Sequence, residues 1–355
     1  MRIDLHTHSN ASDGQYSPAE LVKLAAADGI KILALTDHDT VAGLEEAGAA
    51  AAAAGIRFVP GLEISTELSE ACLERILTEE GAEENIPAAS QLLRAANAAN
   101  TDELAGNIPA ASGSANCADA CGTGEKDRLP DMADFTPEER SQLLNEDIHV
   151  LGLGIDKRDD RIREFCERYA RERLGRGDKI CAFLAGKGIN VDMEEVHAIR
   201  KGASLGRPHF AEYLLRHGFV TSKAEAFEIY LDTDEFNAAT KRMKPTPYEA
   251  VNVIHAAGGR AVLAHPGLLK FTGRTQERVI ASLVRGGLDG IECFYNRHDA
   301  GQTKYYLSLM EKHGISTGCG SDFHGERVKV DVKLGMDLPD EFVDKLAVNN
   351  VRPKE

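Results

Sequence analysis

The residues best suited to chemistry in this 355-residue chain stand near its start, where two histidines and an aspartate fall within eight positions. His6 and His8 are two residues apart, and alternate residues of a strand share one face, so both imidazoles point the same way. Asp13 lies in the following loop and can fold back toward them. Mixed nitrogen and oxygen ligands suit zinc, iron or manganese better than calcium. Unless they are two surface histidines on an edge strand, these residues predict a divalent metal site.

Further metal-type side chains recur at the ends of later short apolar segments. They are His38, Glu63, His149, His265, Asp322 and His324. A surface histidine pair explains the first two residues but not this larger set. In a parallel barrel the C-terminal ends of the strands meet at one face, where active sites form. We therefore expect all nine residues to converge there.

The elements that must position these residues alternate between strands and helices. Residues 17–20, Ser-Pro-Ala-Glu, form a capping box with proline at the first helical position, and Gly29 suits the end of that helix. A second helix is predicted over residues 40–54, before Gly55. The first 65 residues thus read strand, helix, strand, helix, strand, which is typical of a parallel sheet and favours a barrel over a sandwich.

Five motifs together resemble the PHP family, named for polymerase and histidinol phosphatase. They are His6-Thr-His8, Thr36-Asp-His-Asp39, Pro60-Gly-Leu-Glu63, Leu263-Ala-His-Pro266 and Gly320-Ser-Asp-Phe-His324. The resemblance covers residues 1 to about 66 and about 147 to 335. It implies an α/β fold, a distorted seven-stranded β/α barrel similar to a TIM barrel with a helical cap. It also implies two or three divalent metal ions (Mn, Zn or Fe), held by the nine residues above, and phosphoester hydrolysis by a metal-bound hydroxide, with Asp13 and His38 also taking part in catalysis.

Two pairs of residues are candidates for contact with the substrate. Arg207 and His209 precede a helix of apolar periodicity, where positive side chains suit a phosphate. The resembled family holds substrate phosphate with an Arg-x-His near this position, which implies binding and catalytic roles for both, although His209 can equally cap the subdomain. Tyr295 and Asn296 close a predicted strand and are either substrate contacts or ordinary strand-end residues.

The short chain, the cap and the segment Gly206-Arg-Pro-His209 resemble the stand-alone branch of the family, which hydrolyses nucleoside 3′,5′-bisphosphates and short 5′-phosphorylated oligonucleotides. Histidinol phosphate is the alternative substrate. An amidohydrolase usually needs a carbamylated strand lysine, and no predicted strand offers one at a matching place. A non-catalytic metal-binding or regulatory module would be expected to have lost several ligands, whereas all nine positions are filled.

Composition divides the chain into a barrel and two insertions. The stretch 67–146 is rich in Ala, Asn, Glu and Ser and buries too little apolar surface to offset the entropy of ordering. We predict an acidic, low-complexity and mobile insertion there, with one helix near residues 88–99. The other predicted divisions are the first part of the barrel at 1–66 and 147–165, the helical cap at 166–244 and the second part of the barrel at 245–355.

The net charge of −16 is unevenly distributed. Residues 67–147 hold 18 Asp and Glu against 5 Lys and Arg, which leaves only −3 for the rest of the chain. Bound cations would overcompensate Asp13, Glu63 and Asp322, so the site can accept a small phosphorylated substrate such as a nucleotide or short oligonucleotide. The acidic balance opposes binding to duplex nucleic acid, which requires a basic footprint.

The same sequence indicates a cytoplasmic protein. No apolar run reaches membrane-spanning length, and a strand that begins at residue 3 leaves no room for a signal peptide. The seven cysteines are scattered without paired spacing, which is typical of reduced thiols in a cytoplasm. The sequence does not identify a protein partner.

Overall fold

The strands of the barrel are short and carry the predicted site residues at or beyond their ends. The protein is described by a computed structural model that covers residues 1–78, 137–144, 146–200 and 205–348. The strands are β1 (Arg2–Asp4), β2 (Ile32–Leu35), β3 (Arg57–Glu67), β4 (Asp147–Leu153), β5 (Arg260–Leu263), β6 (Gly290–Tyr295), β7 (Ser316–Gly320) and β8 (Met336–Asp337). They form one sheet in the order β7-β6-β5-β4-β3-β2-β1-β8.

The sheet closes on itself because β7 returns to β1. Leu5 N donates to Cys319 O at 2.9 Å, and Asp322 N donates to His6 O at 2.8 Å. The two-residue β8 pairs antiparallel with β1 beside this closure. The distorted β/α barrel predicted from the sequence is therefore confirmed, with β8 as a short addition to its seven principal strands.

One strand departs from the parallel arrangement expected from the first 65 residues. β4 runs antiparallel to both β3 and β5, whereas the pairs β1–β2, β2–β3, β5–β6 and β6–β7 are parallel. A parallel neighbour needs a crossover to the far end of the sheet, whereas an antiparallel neighbour starts at the end where the previous strand stopped. The start of β4, and not its end, therefore lies at the face where the parallel strands end.

Helices surround the barrel and build the cap. They are α1 (Pro18–Ala27), α2 (Leu44–Ala54), α3 (Glu70–Thr78), α4 (Pro137–Leu144), α5 (Asp160–Gly186), α6 (Met193–Arg200), α7 (Arg207–Arg216), α8 (Lys223–Ala226), α9 (Asp234–Ala239), α10 (Pro247–Ala256), α11 (Gly273–Arg285) and α12 (Ala300–His313). The capping box of α1 is confirmed, since Ser17 Oγ accepts from Glu20 N at 3.3 Å and Glu20 Oε2 accepts from Ser17 N at 2.9 Å. α2 begins at Leu44, later than the predicted start at residue 40.

The long helix α5 connects the barrel to the cap. Near its start, Ile162 and Cys166 pack into the barrel's main hydrophobic core. Near its end, Ile180 and Leu184 pack into a separate core within the cap. Its 27 residues span about 40 Å at the rise of an α-helix. The predicted boundary between residues 165 and 166 thus falls inside one continuous helix.

The two ends of the predicted insertion at 67–146 are helical and packed. In α3 and α4, Leu73 and Leu143 are each 1% exposed and belong to the barrel's main hydrophobic core. Residues 79–136, which include the predicted helix at 88–99 and most of the predicted mobile insertion, lie outside the described residues. The described ends contribute to the core instead of forming a polar linker.

Two expectations about chemistry outside the site concern membranes and thiols. Within the described ranges, no helix combines the length and apolarity required to cross a membrane. The cysteines of those ranges are free thiols: Cys72, Cys166, Cys181, Cys293 and Cys319.

Candidate metal centre

The barrel brings all nine predicted ligands to one face. Most of them lie just beyond the C-terminal ends of parallel strands: His6 and His8 after β1, His38 after β2, His265 after β5, and Asp322 and His324 after β7. Glu63 lies within β3, Asp13 lies in the loop after β1, and His149 lies near the start of β4. The reversed direction of β4 is what brings His149 to the same face as the others.

Glu63 occupies the centre of the cluster and is fully buried. Its Oε1 lies 2.7 Å from His149 Nδ1 and 3.0 Å from His265 Nε2. Its Oε2 lies 3.1 to 3.3 Å from ring nitrogens of His6, His8 and His38. One carboxylate therefore contacts five imidazoles, an arrangement suited to bridging two cations.

Two aspartates complete the cluster on the side of β7. Asp322 Oδ1 lies 3.6 Å from His6 Nε2, 3.5 Å from His8 Nε2 and 3.3 Å from His324 Nδ1. Asp13 Oδ1 lies 3.4 Å from His324 Nε2. The ligand atoms fall into overlapping groups, each within 4.8 Å: His8, Asp13, His38, His324; His6, His8, Glu63, Asp322; and His38, Glu63, His149.

Buried ligand atoms that lack a hydrogen bond test whether this cluster fits metal ions. Among the described residues, His6 Nε2, both ring nitrogens of His8 and Glu63 Oε2 are buried without a hydrogen-bond partner of acceptable geometry. Each such atom costs about 1–3 kcal/mol if nothing satisfies it. Coordination to a cation satisfies them, and imidazole with carboxylate suits Mn, Zn or Fe. The residues present therefore fit bound divalent metals.

The pKa values of two central ligands agree with that fit. Burial lowers the pKa of His8 well below its usual range, which favours the neutral imidazole. Burial opposes ionisation of Glu63, but the surrounding imidazoles hold the pKa of its carboxyl well below the ordinary value. Neutral imidazole and ionised carboxylate are the forms that bind metal. For His6, burial is outweighed by the carboxylates of Glu63 and Glu292, which raise its pKa.

Backbone strain is concentrated at this cluster. In the described part of the chain, the non-glycine residues with left-handed φ are Asp39 at 52°, His265 at 27° and Asp322 at 60°. Such conformations cost about 1–3 kcal/mol each and persist only where the surroundings impose them. Two of the three are predicted ligands, and Asp39 follows a third, His38. The barrel thus accepts local strain in order to direct these side chains into the site.

Glycines of β7 make the crowding of ligands possible. A Cβ at Gly320 would lie 2.3 Å from His6 Cβ and 2.7 Å from Glu292 Oε1. At Gly318, a Cβ would lie 3.1 Å from Glu292 Cα. This explains why glycines precede Asp322 in the sequence.

Sequence reasoning missed Glu292, which is fully buried in β6. Its Oε1 and Oε2 lie 3.2 and 3.3 Å from His6 Nδ1. The available signal is an acidic residue inside the apolar strand Gly290–Tyr295. Lys329 was also missed, and its Nζ donates to Asp322 Oδ2 at 2.6 Å.

The structure places the four predicted substrate contacts in different settings. Tyr295 is buried, and its hydroxyl donates to Asp322 Oδ2 at 3.1 Å. Asn296 is exposed in the turn after β6. His209 closes the first turn of α7, where Gly206 N donates to His209 Nδ1 at 3.1 Å. The remaining candidate, Arg207, faces a cavity.

That cavity, of about 260 Å³, lies between the ligand cluster and the cap. The ligands Asp13, His38 and His149 line it, and so do three arginines: Arg176, Arg207 and Arg242. Arg207 Nη1 also pairs with Asp232 Oδ1 at 2.5 Å, and Arg242 Nη1 lies 3.6 Å from Asp39 Oδ2. An anion in this cavity would therefore lie near both the predicted metal ligands and the arginines.

Comparison with known proteins places this geometry in context. The family model described as the PHP domain matches residues 4–136. A 5′-3′ exoribonuclease of Haemophilus influenzae is 28% identical over 346 residues, which is 96% of this chain and 97% of the relative. A 3′,5′-nucleoside bisphosphate phosphatase of Chromobacterium violaceum is 27% identical over 95% of this chain and 92% of the relative.

Solved structures share the fold over nearly the whole chain. An amidohydrolase from Chromobacterium violaceum, with bound sulfate and no metal, superposes with a TM-score of 0.64 at 26% identity, covering 96% of this chain and 93% of its own. A protein from Bifidobacterium adolescentis, whose proposed activity is that of a metal-dependent phosphoesterase, gives a TM-score of 0.62 at 21% identity, with 97% and 94% covered. At that identity the second likeness shows the fold alone.

Proposed function

We propose that this chain is a metal-dependent phosphoesterase of the PHP family and that its substrates are nucleoside 3′,5′-bisphosphates or short oligonucleotides with a 5′-phosphate. The observation that carries the proposal is the cavity, which is lined both by three predicted metal ligands and by three arginines. A molecule with two phosphates can place one at the predicted metal ligands and the other at an arginine. The relatives named as an exoribonuclease and a bisphosphate phosphatase match over nearly their full length, which supports the same substrate class.

The nine clustered residues would hold two or three divalent ions, which we propose to be Mn, Zn or Fe. Three overlapping groups of ligands support that number, and Glu63 is shared by two of them. Such ions supply charge neutralisation for phosphate oxygens and a lowered pKa for a water molecule. The protein's own contribution is to hold imidazole and carboxylate groups at fixed positions before the substrate arrives, so no large rearrangement is required during the reaction.

The residues around the ligands have distinct proposed roles. Arg207 binds and orients a substrate phosphate, since a guanidinium offers two parallel donors to phosphate oxygens. Tyr295 donates to Asp322, so we propose that it orients this ligand and does not read the substrate. His209 Nδ1 accepts from Gly206 N at the start of the helix that presents Arg207, so we propose that His209 helps to position Arg207. Asn296 is exposed in the turn after β6, and we propose no role for it.

The substrate proposal is tested by measuring phosphate release from the manganese-loaded enzyme. We expect adenosine 3′,5′-bisphosphate and a 5′-phosphorylated trinucleotide to be hydrolysed with kcat/KM about 10- to 100-fold above 3′-AMP, 5′-AMP and histidinol phosphate. The reason is that a second phosphate adds a charge-assisted contact, which contributes about 1.5–3 kcal/mol. The chelated enzyme is the control. Preference for histidinol phosphate, or equal rates with mono- and bisphosphates, would refute the substrate assignment.

We propose a cytoplasmic protein, on the support of seven cysteines scattered without paired spacing. The proposed partner is a small phosphorylated molecule.

A further inference from the structure

Glu292 contacts two predicted ligands at once, although it is not part of the ligand cluster. Its side chain is fully buried in β6. His6 Nδ1 lies 3.2 Å from Oε1, and His265 N donates to Oε2 at 2.6 Å. The atoms of these residues that face Glu63 are different ones, Nε2 of the His6 ring and Nε2 of the His265 ring. We propose that Glu292 is a positioning residue that fixes the tautomer of His6 and the backbone of His265, and so sets the affinity of the centre for divalent metal.

The tautomer argument starts from the two nitrogens of His6. Nδ1 faces Glu292, and Nε2 faces Glu63 at 3.3 Å and Asp322 at 3.6 Å. A carboxylate only accepts hydrogen bonds, so Glu292 requires the ring proton on Nδ1. The lone pair is then on Nε2, directed at the other ligands. A carboxylate behind a metal-binding histidine orients the ring and raises its basicity.

The backbone argument concerns His265. This residue has a φ of 27° and a ψ of 56°, a backbone conformation that residues with a Cβ rarely adopt. Its N–H donates to Glu292 at 2.6 Å, a charge-assisted hydrogen bond. His265 Nε2 at the same time reaches Glu63 Oε1 at 3.0 Å. The bond to Glu292 is therefore placed to hold the strained residue in the conformation that aims its imidazole into the cluster.

A second buried carboxylate, Asp289, provides a matched control. It stands just before β6 and is bonded in the same manner, to an imidazole, His255 Nε2, at 2.7 Å and to a backbone amide, Ala261 N, at 2.8 Å. It also accepts from Arg260 Nη1 at 2.9 Å. Neither His255 nor Ala261 is a predicted ligand. Asp289 therefore has the bonding pattern of Glu292 without its connection to the metal centre.

The experiment compares Glu292→Gln with Asp289→Asn in the full chain. In Glu292→Gln the remaining carbonyl can serve His265 N, which leaves an amide N–H₂ facing His6 Nδ1 and favours the proton on Nε2 instead. We expect affinity for Mn²⁺, measured by chelator competition, to fall about 10- to 100-fold. Nitrogen-15 NMR of the zinc-loaded protein should show a protonated Nδ1 and an unprotonated Nε2 on His6 in wild type, and a protonated Nε2 that no longer binds zinc in Glu292→Gln. Asp289→Asn should lower the melting temperature but leave Mn²⁺ affinity and the His6 signals as in wild type.

The outcomes separate this inference, which rests on the metal centre of the proposed function, from the substrate assignment. Wild-type Mn²⁺ affinity in Glu292→Gln, or equal losses in both variants, would overturn the role of Glu292. If Glu292→Gln does not fold, Glu292→Asp keeps the charge but draws the carboxylate back by one methylene, and unchanged affinity there would overturn it too. Wild-type protein that binds no Mn²⁺ would refute the metal centre and this inference together. A failed substrate screen would affect neither measurement.

Discussion

At the scale of single residues, the site combines buried charge, strained backbone and close contact. Asp322 shows all three, because it has a left-handed φ of 60°, is 3% exposed and receives hydrogen bonds from both Tyr295 and Lys329. These two donors engage Oδ2, which leaves Oδ1 directed at three imidazoles. The two oxygens of this carboxylate therefore contact different partners. A change to Tyr295 or Lys329 would act on the site through Asp322.

Arg207 permits a prediction that separates phosphate binding from support of the cap. Arg207→Lys keeps the charge but loses the paired donors of the guanidinium. We expect kcat/KM for phosphate release to fall about 10- to 100-fold, which corresponds to roughly 1.5–3 kcal/mol, with little change in melting temperature. The small thermal effect is expected because the ion pair with Asp232 is partly exposed, and such pairs contribute about 0–1 kcal/mol.

The control for this prediction is Asp232→Asn, which removes the partner of Arg207 and keeps its guanidinium. Wild-type kinetics are expected for this variant. If Arg207→Lys and Asp232→Asn both lower the melting temperature and leave kcat/KM unchanged, Arg207 only anchors the cap and the phosphate assignment is wrong.

At the scale of elements, α3 and α4 belong to the hydrophobic core although the average composition around them predicts an insertion without one. The acidic, alanine-rich stretch around them predicted an insertion without a core, yet Leu73 and Leu143 are buried where these helices meet the barrel. Average composition over 80 residues hides a few well-placed leucines at each end. On the surface, Arg140 Nη2 pairs with Glu70 Oε2 at 2.8 Å, which connects the two helices a second time.

The buried Leu143 and the ion pair of Arg140 should contribute unequally to the free energy of unfolding. Leu143→Ala should lower the free energy of unfolding by about 2–5 kcal/mol, because it leaves a cavity in packed surroundings. Arg140→Ala removes a partly exposed ion pair and should lower it by at most about 1 kcal/mol. Urea denaturation followed by circular dichroism measures both. Equal effects of the two substitutions would show that α4 does not contribute to the core.

The order of elements was predictable to a large extent, and its exceptions have physical causes. Capping residues and alternating apolar runs located α1 and the strands, since these signals are local. The reversal of β4 was not predictable, because Asp147–Leu153 has the same composition in either direction. The role of Glu292 was not predictable, because it depends on contact with His6, which lies far away along the chain. Pairing of Arg207 with Asp232 was hidden for the same reason.

At the scale of the whole molecule, the cluster connects strands that are distant in sequence. Its ligands come from β1 and β2 at one end of the chain, from β3 and β4, and from β5 and β7 near the other end. Ions bound there would link the first and second parts of the barrel. Binding that occurs only in the folded state adds to folding stability.

Removal of metal should therefore lower thermal stability as well as activity. At a free metal concentration 100 times the dissociation constant, the added stability is about 2.7 kcal/mol. For a chain of this size we expect the melting temperature after chelation to fall by roughly 5 °C, measured by differential scanning calorimetry. Addition of excess Mn²⁺ should restore both the melting temperature and phosphate release. An unchanged melting temperature in protein shown by elemental analysis to be metal-free would contradict the ligand assignment.

The reversed direction of β4 determines where the long segments between strands attach to the barrel. Because β3 ends and β4 begins at the mouth of the site, whatever lies between Glu67 and Asp147 is attached at the entrance for substrate. β4 then ends at the opposite face, and α5 carries the chain back to the mouth, where Arg176 lines the cavity. The first long excursion therefore starts and ends at the same face of the barrel that the second excursion, α5 and the cap, reaches. Exchange of either excursion could alter which phosphoesters enter while the metal chemistry at the bottom stays intact.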